Sequence, residues 1–286
     1  MTVVYIGTSA FALAVLDASG LEPSLVVTRP PAPRGRGRAL TPTPVAAGAR
    51  ERGLEVREPT RLEEIVPELA MLRPDVVCLC AYGALVREPL LSAYEILGVH
   101  PSLLSRWRGA APIERAIMAG DERTGVSILR LVAELDAGPV CALEAVAIDP
   151  LDDYGTLSER LAVAGGRVLA SAVAGPREYT PQDEQGATYA EKIAAHDRVL
   201  DPSRPAVELE HVVRALHPHI GARLAGGLGV GDARAVAAPV LAPGALAGAD
   251  GRLYLGSSSG ALELLRVTPP GGREMDGAAY LRGHAV

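Results

Sequence analysis

The chain has 286 residues, of which 48% are hydrophobic and 22% charged, as expected for a globular protein with one large or two moderate domains. The net charge of −6 gives no global basic field for nucleic acid, although a local basic patch would still serve such a partner. The three cysteines form no C-x-x-C pair, the N-terminus has no signal-peptide pattern, and no apolar run reaches the roughly 18 residues of a membrane span. We therefore expect a cytoplasmic protein with no disulfide framework and no membrane contact.

The first half of the chain alternates strand-like and helix-like segments. Short β-branched runs predict strands over 2–7, 24–29, 54–59 and 74–83, and helical patterns occupy the intervals 10–20, 45–53 and 61–73. This alternation predicts an α/β fold with a doubly wound, mainly parallel, Rossmann-like sheet. Ligands of such sheets bind beyond the carboxyl ends of the strands, which directs attention to Gly7–Phe11, the chain from Arg29 onward, Ala81–Gly83 and Val99–His100.

The second half changes character along its length. A helix is predicted over 111–121, two antiparallel strands within 125–149, and one helix or a broken pair over 154–175. The polar, turn-rich segment 177–205 is predicted to be a linker that ends the domain formed by residues 1–176. A helix over 206–221 and several glycine-punctuated strands then predict a small open β-barrel, OB-like, over 206–286.

His100 and Asp136 are the strongest candidates for chemistry. His100 stands at the end of a predicted strand and precedes Pro101, so it faces the crevice, although a lone histidine is also a common structural residue. Asp136 lies in a turn whose backbone Gly138 and Pro139 fix. A carboxylate beside an imidazole sets its tautomer and stabilises its charged form, whereas an aspartate in a turn is also an ordinary turn former.

The segment "PRGRGR" (33–38) places Arg34, Arg36 and Arg38 on flexible glycines. Guanidinium groups match phosphate oxygens in bidentate fashion, so this loop is a candidate nucleic-acid contact, and a solvated loop is the alternative. The turn "GTSAF" (7–11) is not a dinucleotide fingerprint, and the chain contains no P-loop, H-E-x-x-H or G-x-S-x-G motif.

Several segments together resemble the methionyl-tRNA formyltransferase family over nearly the whole chain. They are "YIGTSAFALAVLDA", "TRPPAPRGRGRALTPTPVAAGARERGLEVREP", "DVVCLCAYG", "HPSLLSRWRGAAPIERAIMAGDERTGVSI", "LDAGPV" and "TYAEKI". The pair "RWRGAAPI" and "TYAEK" separates this family from glycinamide ribonucleotide and sugar formyltransferases, which share the His and Asp segments.

The resemblance implies transfer of a formyl group from 10-formyltetrahydrofolate to the methionyl amine of initiator Met-tRNA, in translation initiation. It implies a folate co-substrate without a metal, a tRNA partner for the C-terminal domain, and a monomer. His100 would contact the reacting centre and help to move the amine proton, and Asp136 would orient His100 and a water. An Asn two residues before the His donates to the formyl oxygen in this family.

Further residues acquire roles from the same resemblance. The folate pocket would be lined by Ser102, Leu103, Leu104 and Ser105. Phe11 would face the methionyl side chain. The residues expected to contact the tRNA are Arg34, Arg36, Arg38, Arg108 and Lys192. Lys192 is the only lysine of the chain. Chance placement is the alternative for Lys192.

The chain departs from the family at the place of the Asn. Gly98 stands two residues before His100, and "LGVH" arises either from an Asn-to-Gly substitution or from a three-residue loss. Glycine has no side chain to donate, and losing one oxyanion donor costs other enzymes roughly 10²–10³ in turnover. Ser9 and Ser105 replace two family prolines.

Three hypotheses therefore remain. The first is a formyltransferase that is slowed, or that a water over Gly98 rescues. The second is a non-catalytic or altered descendant that binds tRNA or folate. The third is a formyltransferase for another amine, such as an amino sugar, which the second domain and the arginine loop disfavour.

Overall fold

The computed structural model describes residues 1–34 and 39–284. Its helices are α1 (Ala10–Ser19), α2 (Pro44–Glu51), α3 (Val66–Leu72), α4 (Leu90–Ala93), α5 (Pro112–Met118), α6 (Tyr154–Ala174), α7 (Ala206–Leu216) and α8 (Gly277–Gly283), with a 3₁₀ turn at Leu62–Ile65. Its strands are β1 (Val3–Gly7), β2 (Leu25–Val27), β3 (Ala32–Arg34), β4 (Ala39–Thr41), β5 (Val56–Arg57), β6 (Val76–Cys80), β7 (Ile96–His100), β8 (Arg108–Gly109), β9 (Arg123–Arg130), β10 (Val140–Ala147), β11 (Tyr189–Ala190), β12 (Ala222–Arg223), β13 (Gly229–Val236), β14 (Leu246–Ala249), β15 (Arg252–Gly256), β16 (Ala261–Thr268) and β17 (Met275–Asp276). Over the described ranges, every helix falls short of the length and apolarity that a bilayer crossing requires.

The main sheet has seven strands in the order β10-β9-β7-β6-β1-β2-β5. The strands from β7 to β5 along this order are parallel, whereas β9 runs antiparallel to β7 and β10 antiparallel to β9. Along the chain, β2 and β5 are added in turn on one side of β1, and β6 then pairs with the other side of β1. This arrangement confirms the predicted mixed α/β class with a mainly parallel sheet.

The first strand and helix show how the sequence builds this layer. All five residues of β1 are buried, because a parallel strand covered on both faces needs a continuous apolar run. Ser9 caps α1 by accepting from the Ala12 N–H, and Gly20 ends it in the left-handed conformation. A Cβ at Gly7 would stand 2.9 Å from Ala12 Cβ, so the helix packs closely against the strand end.

Three local features differ from, or sharpen, the predictions. β3 and β4 pair in an antiparallel ladder where the sequence predicts only a loop, because the Pro and Gly content hides any period-two pattern. The segment predicted as one helix or a broken pair is the single helix α6. α7 ends at Leu216, earlier than predicted, because His217 precedes Pro218 and a residue before proline disfavours the helical conformation.

By their internal contacts the residues form two compact units. The first unit comprises Met1–Gly109, Arg123–Ala147 and Ser158–Tyr189, and the second comprises Ala110–Glu122, Ile148–Leu157 and Ala190–Val286. Residues 177–189 of the predicted linker therefore group with the first unit. The predicted boundaries at 176 and 205 stay predictions.

The second unit contains an antiparallel sheet in the order β12-β13-β16-β15-β14, with β17 paired to β16. This sheet confirms that the C-terminal region is a β domain, as its glycine-punctuated strands predict. α7 buries Leu209, Val212, Val213 and Leu216 in a common apolar cluster with side chains of β13, β15 and β16.

Candidate active site

Strand β7 delivers His100 to the carboxyl edge of the main sheet. Its register is continuous on both sides: Gly98 is opposite Leu79 of β6 and Leu129 of β9, and His100 is opposite Ser127. Since side chains alternate along a strand, positions 98 and 100 face the same side of the sheet. His100 is 5% exposed, so its imidazole depends on neighbouring protein groups for hydrogen bonds.

A hydrogen-bonded loop follows β7 and returns to His100. The Ser127 hydroxyl donates to the Ser102 carbonyl oxygen at 2.8 Å and accepts from the Leu104 N–H at 3.1 Å. The Ser102 hydroxyl donates to the Arg106 carbonyl oxygen at 2.6 Å. These bonds fix the loop so that the carbonyl oxygen of Trp107 lies 2.8 Å from His100 Nε2.

This carbonyl determines the tautomer of His100. A carbonyl oxygen only accepts, so Nε2 carries a hydrogen and donates it to Trp107. In the neutral imidazole the acceptor is then Nδ1, which lies 3.5 Å from Asp136 Oδ2. The same Asp136 oxygen accepts from the Gly109 N–H at 2.9 Å. A proton that arrives at Nδ1 therefore meets a fixed carboxylate, which is the arrangement of a general base.

The turn that carries Asp136 is held from two sides. Asp136 has a φ of 51°, a left-handed conformation that aspartate tolerates better than most residues. A Cβ at Gly138 would lie 1.7 Å from the Arg130 carbonyl oxygen, so only glycine fits there. The side-chain amide of Gln182 donates from Nε2 to the carbonyl oxygens of Asp136 and Gly138, both at 2.7 Å.

Gln182 is a site residue that the sequence reasoning missed. It lies 46 positions beyond Asp136, in a polar segment whose composition is typical of a linker. The prediction used motifs and strand ends, and a glutamine in a turn-rich segment matches neither of these signals.

The side chains that face position 98 are apolar. A Cβ at Gly98 would lie 2.5 Å from Leu131 Cδ1 and 3.0 Å from Leu129 Cδ2. Leucine methyl groups thus occupy the space into which a longer side chain at position 98 would extend.

Leu131 also lines a cavity of about 460 Å³ next to this space. The other lining residues are Glu88, Leu91, Ser92, Ala93, Tyr94, Glu95, Arg130, Val132 and Ala133. Tyr179 and Arg177 donate to Glu95 on one side of the cavity. Burial acts to raise the pKa of Glu95, but these hydrogen bonds outweigh it and hold the pKa below its ordinary value.

The four predicted folate-lining residues build the loop after β7. Ser102 is fully buried and its hydroxyl is bonded within the loop, so its side chain offers no surface to a ligand. Leu103 packs over Gly125, and the Leu104 N–H is bonded to Ser127. The Ser105 hydroxyl donates to the Asp183 carbonyl oxygen at 2.7 Å. Folate contact at all four residues stays a prediction.

Arg108, predicted to meet tRNA, is only 3% exposed. Its guanidinium donates to both Glu184 carboxylate oxygens, at 2.7 and 3.0 Å, and to Gln182 Oε1 at 3.0 Å. Hydrogen bonding to Glu184 raises the pKa of Arg108 and lowers that of Glu184. The guanidinium is therefore engaged inside the protein, which favours a supporting role for Arg108 over direct contact with tRNA.

The other residues predicted to contact the substrate or the tRNA are Phe11, Lys192 and the arginines of the 33–38 loop. Phe11 is half-buried in the first turn of α1, and Lys192 is exposed in the second unit. Arg34 ends β3, whereas Arg36 and Arg38 lie outside the described residues. The structure thus brings together His100 and Asp136 and adds Gln182 to them.

The comparisons with known proteins define the class to which this fold and site belong. The formyl transferase family matches residues 1–173, and the formyl transferase C-terminal domain matches residues 192–285. Proteins named methionyl-tRNA formyltransferase are similar over their full length. The one from Halorhodospira halophila is 41% identical over 301 residues, with 99% of this chain and 96% of that protein covered. The one from Streptomyces griseus is 41% identical over 302 residues, with the same coverage. The chain belongs to the methionyl-tRNA formyltransferase family, as the sequence motifs predict.

Solved structures show the same fold at lower identity. An N-formyltransferase from Helicobacter canadensis, crystallised with folinic acid and dTDP-3-aminofucose, has a TM-score of 0.70 and 12% identity, with 92% of this chain and 99% of that chain covered. HypX from Aquifex aeolicus, in complex with tetrahydrofolic acid, has a TM-score of 0.63 and 17% identity, with 98% and 47% covered. At these identities the likeness is one of fold.

Proposed function

We propose that this protein transfers the formyl group of 10-formyltetrahydrofolate to the methionyl amine of initiator Met-tRNA. The observation that carries the proposal is the His100–Asp136 pair, whose Nδ1 is left as a proton acceptor by the bond from Nε2 to Trp107. The full-length similarity to proteins named methionyl-tRNA formyltransferase supports the choice of amine. The matched formyl transferase domains support a one-carbon donor of this kind.

The geometry supports a direct transfer. The neutral methionyl amine attacks the formyl carbon, and a new N–C bond forms as the carbonyl becomes an oxyanion. His100 accepts the proton of the attacking nitrogen at Nδ1, and the Asp136 carboxylate stabilises the resulting imidazolium. The bond between the formyl carbon and N10 then breaks, and the proton held by His100 passes to the departing tetrahydrofolate. Proton transfer of this kind contributes about 10²–10⁴ in rate.

We place the folate in the cavity lined by Leu131 and Glu95. Its volume of about 460 Å³ lies within the range that binds ring-sized groups, roughly 300–1,000 Å³. Leu131 borders both this cavity and the face of β7 that carries His100. A folate ring held there would direct its formyl end along that face.

The surroundings of Gly98, the position from which the family's Asn would donate to the oxyanion, favour a slowed enzyme. Leu131 and Leu129 fill the space in front of Gly98, so a water placed there would meet hydrocarbon on that side. Without a side-chain donor, stabilisation of the oxyanion falls short by the roughly 10²–10³ in turnover that one donor supplies elsewhere.

The test is a formylation assay with the purified chain, 10-formyltetrahydrofolate and charged initiator tRNA. Wild type is expected to produce formylmethionyl-tRNA, and His100→Asn to lose about 10²–10⁴ in kcat/KM. The matched control is His196→Asn, because the His196 side chain is 85% exposed. Folded wild-type protein without formyl transfer, or His100→Asn at the wild-type rate, would contradict the proposal.

The leucines over Gly98 also favour a second candidate, a non-catalytic protein that binds tRNA or folate. It predicts binding of charged initiator tRNA or of 10-formyltetrahydrofolate by the folded chain with no product. Titration calorimetry establishes binding, and the absence of formylmethionyl-tRNA from a prolonged assay on the same protein preparation separates this candidate from the slowed enzyme.

A further inference from the structure

We propose that Gln182 is a positioning residue for formyl transfer, which holds the Asp136 carboxylate against His100 through the turn that carries Asp136. The inference rests on the proposed function for its kinetic consequence. Its structural consequence, the environment of the His100 ring, is independent of which reaction the site performs.

The amide of Gln182 has a single satisfied orientation. Its two Nε2 hydrogens go to the carbonyl oxygens of Asp136 and Gly138, each at 2.7 Å. Its Oε1 accepts from Arg108 Nε at 3.0 Å. Carbonyl oxygens only accept and a guanidinium only donates, so a reversed amide would break all three bonds. A glutamate would set a carboxylate oxygen against the two carbonyls.

The partner of that amide connects back to the catalytic histidine. Arg108 directly follows Trp107, whose carbonyl oxygen holds His100 Nε2, and precedes Gly109, whose N–H donates to Asp136. A closed ring of contacts thus runs from His100 through residues 107–109 and Gln182 to Asp136. Within this ring Gln182 joins Arg108 to the backbone of the Asp136 turn, beside the direct bond from the Gly109 N–H to the Asp136 side chain.

The segment that carries Gln182 is itself pinned on both sides of it. Thr180 and Val140 exchange two backbone hydrogen bonds, each of 2.9 Å. Thr188 accepts from the Trp107 N–H with Oγ1 and from the Arg108 N–H with its carbonyl oxygen, both at 2.9 Å. Residues 180–188, which composition predicts to be linker, are therefore hydrogen-bonded both to the start of β10 and to the loop after β7.

The energetic reason follows from the conformation of the turn. The Asp136 backbone has a φ of 51°, and one Gln182 amide hydrogen bond holds its carbonyl oxygen while the other holds that of Gly138. Loss of the Gln182 donor leaves a partly buried carbonyl oxygen unsatisfied, and a shift of the turn that satisfies it elsewhere moves the carboxylate relative to Nδ1. A misplacement of about 1 Å at a reacting group costs up to about 10²-fold in rate.

The kinetic test compares Gln182→Ala with Gln185→Ala, a glutamine in the same segment whose side chain is exposed. We expect Gln182→Ala to lower kcat by about 10- to 100-fold, with KM for both substrates nearly unchanged, because the Gln182 amide is used inside the protein. Gln185→Ala should match wild type. In the Asp136→Asn background, Gln182→Ala should add little further loss, since both changes act through the same carboxylate.

The spectroscopic test uses the free protein. The ¹⁵N shifts of the His100 ring in wild type should show Nε2 protonated, and Gln182→Ala should change them while leaving those of the exposed His196 unaltered. Should Gln182→Ala fail to fold, Gln182→Met keeps the length of the side chain without its hydrogen bonds and undergoes the same measurements.

Unchanged His100 shifts in a folded Gln182 variant would overturn the positioning role. In an active wild type, an unchanged kcat, or a loss confined to KM, would overturn it equally. An inactive wild type with altered His100 shifts in the variant would sink the proposed function and leave the positioning role standing.

Discussion

His100 and Gly98 stand two residues apart on one face of β7, yet their surroundings are opposite. His100 is buried among polar groups, with Trp107 on one ring nitrogen and Asp136 near the other. Gly98 faces the methyl groups of Leu129 and Leu131. The comparison indicates that this chain keeps the polar half of the proposed site, around His100, pre-organised, and packs the apolar half, around Gly98, with hydrocarbon. Rate should therefore depend on the first half and stability on the second.

Removing the charge from the polar half should have the largest effect. Asp136→Asn leaves an amide where the imidazolium needs a carboxylate, so we expect kcat/KM for formyl transfer to fall by about 10²–10⁴. The unfolding midpoint should change little, because the side chain is partly solvated. Steady-state kinetics and thermal unfolding measure the two quantities.

Asp17→Asn is the control, since Asp17 pairs with Arg52 on the surface of the first unit. Wild-type rates for Asp136→Asn would remove the functional distinction between the two halves of the site.

Truncating the apolar half should show the reverse pattern. Leu129 is 2% exposed and packs over Gly98, so Leu129→Ala should lower the free energy of unfolding by about 2–5 kcal/mol. Well below the unfolding midpoint, kcat should remain near the wild-type value. Denaturant titration checks the first expectation and formylation kinetics the second. A full loss of activity in folded Leu129→Ala would show that the leucine packing also determines the reaction geometry.

A donor added to the apolar half sharpens the comparison further. Gly98→Asn alone should gain little, because its Cβ would lie 2.5 Å from Leu131 Cδ1. Gly98→Asn with Leu131→Ala opens that space, and we expect kcat to rise by about 10-fold, within the roughly 10²–10³ that one oxyanion donor supplies.

Leu131→Ala alone is the control for the loss of the leucine side chain. A gain in that single variant equal to the gain in the double variant would assign the effect to space rather than to the donor.

The sequence predicts the polar pair and the sheet that carries it, since a strand end, a turn and a family motif are local signals. These signals point to His100 and Asp136, whose side chains the structure places 3.5 Å apart. Gln182 and the burial of Arg108 give no such signal, because both depend on which segments meet in three dimensions. The packing over Gly98 is also hidden: the sequence shows a missing side chain, and only the structure shows that Leu129, opposite Gly98 on β9, and Leu131 beyond it fill its place.

The smallest expected effect concerns the outer end of the polar half, the bond between Arg108 and the largely exposed Glu184. This hydrogen bond lowers the pKa of Glu184 in the folded protein, below its value of about 4.3 in the unfolded chain. The stabilisation is therefore fully present above that unfolded pKa and is lost as the pH falls through the folded one. We expect Glu184→Gln to unfold at a lower temperature than wild type at pH 6, and the difference to shrink as the pH falls through the lowered pKa of Glu184 in the folded protein.

Glu191→Gln removes one exposed charge from the second unit and controls for net charge. A difference between wild type and Glu184→Gln that persists unchanged to pH 3 would mean that the contribution of Glu184 does not come from its ionised form. Hydrogen bonds of Gln182 to the Asp136 turn, and not the Glu184 charge, would then stabilise the polar half of the site.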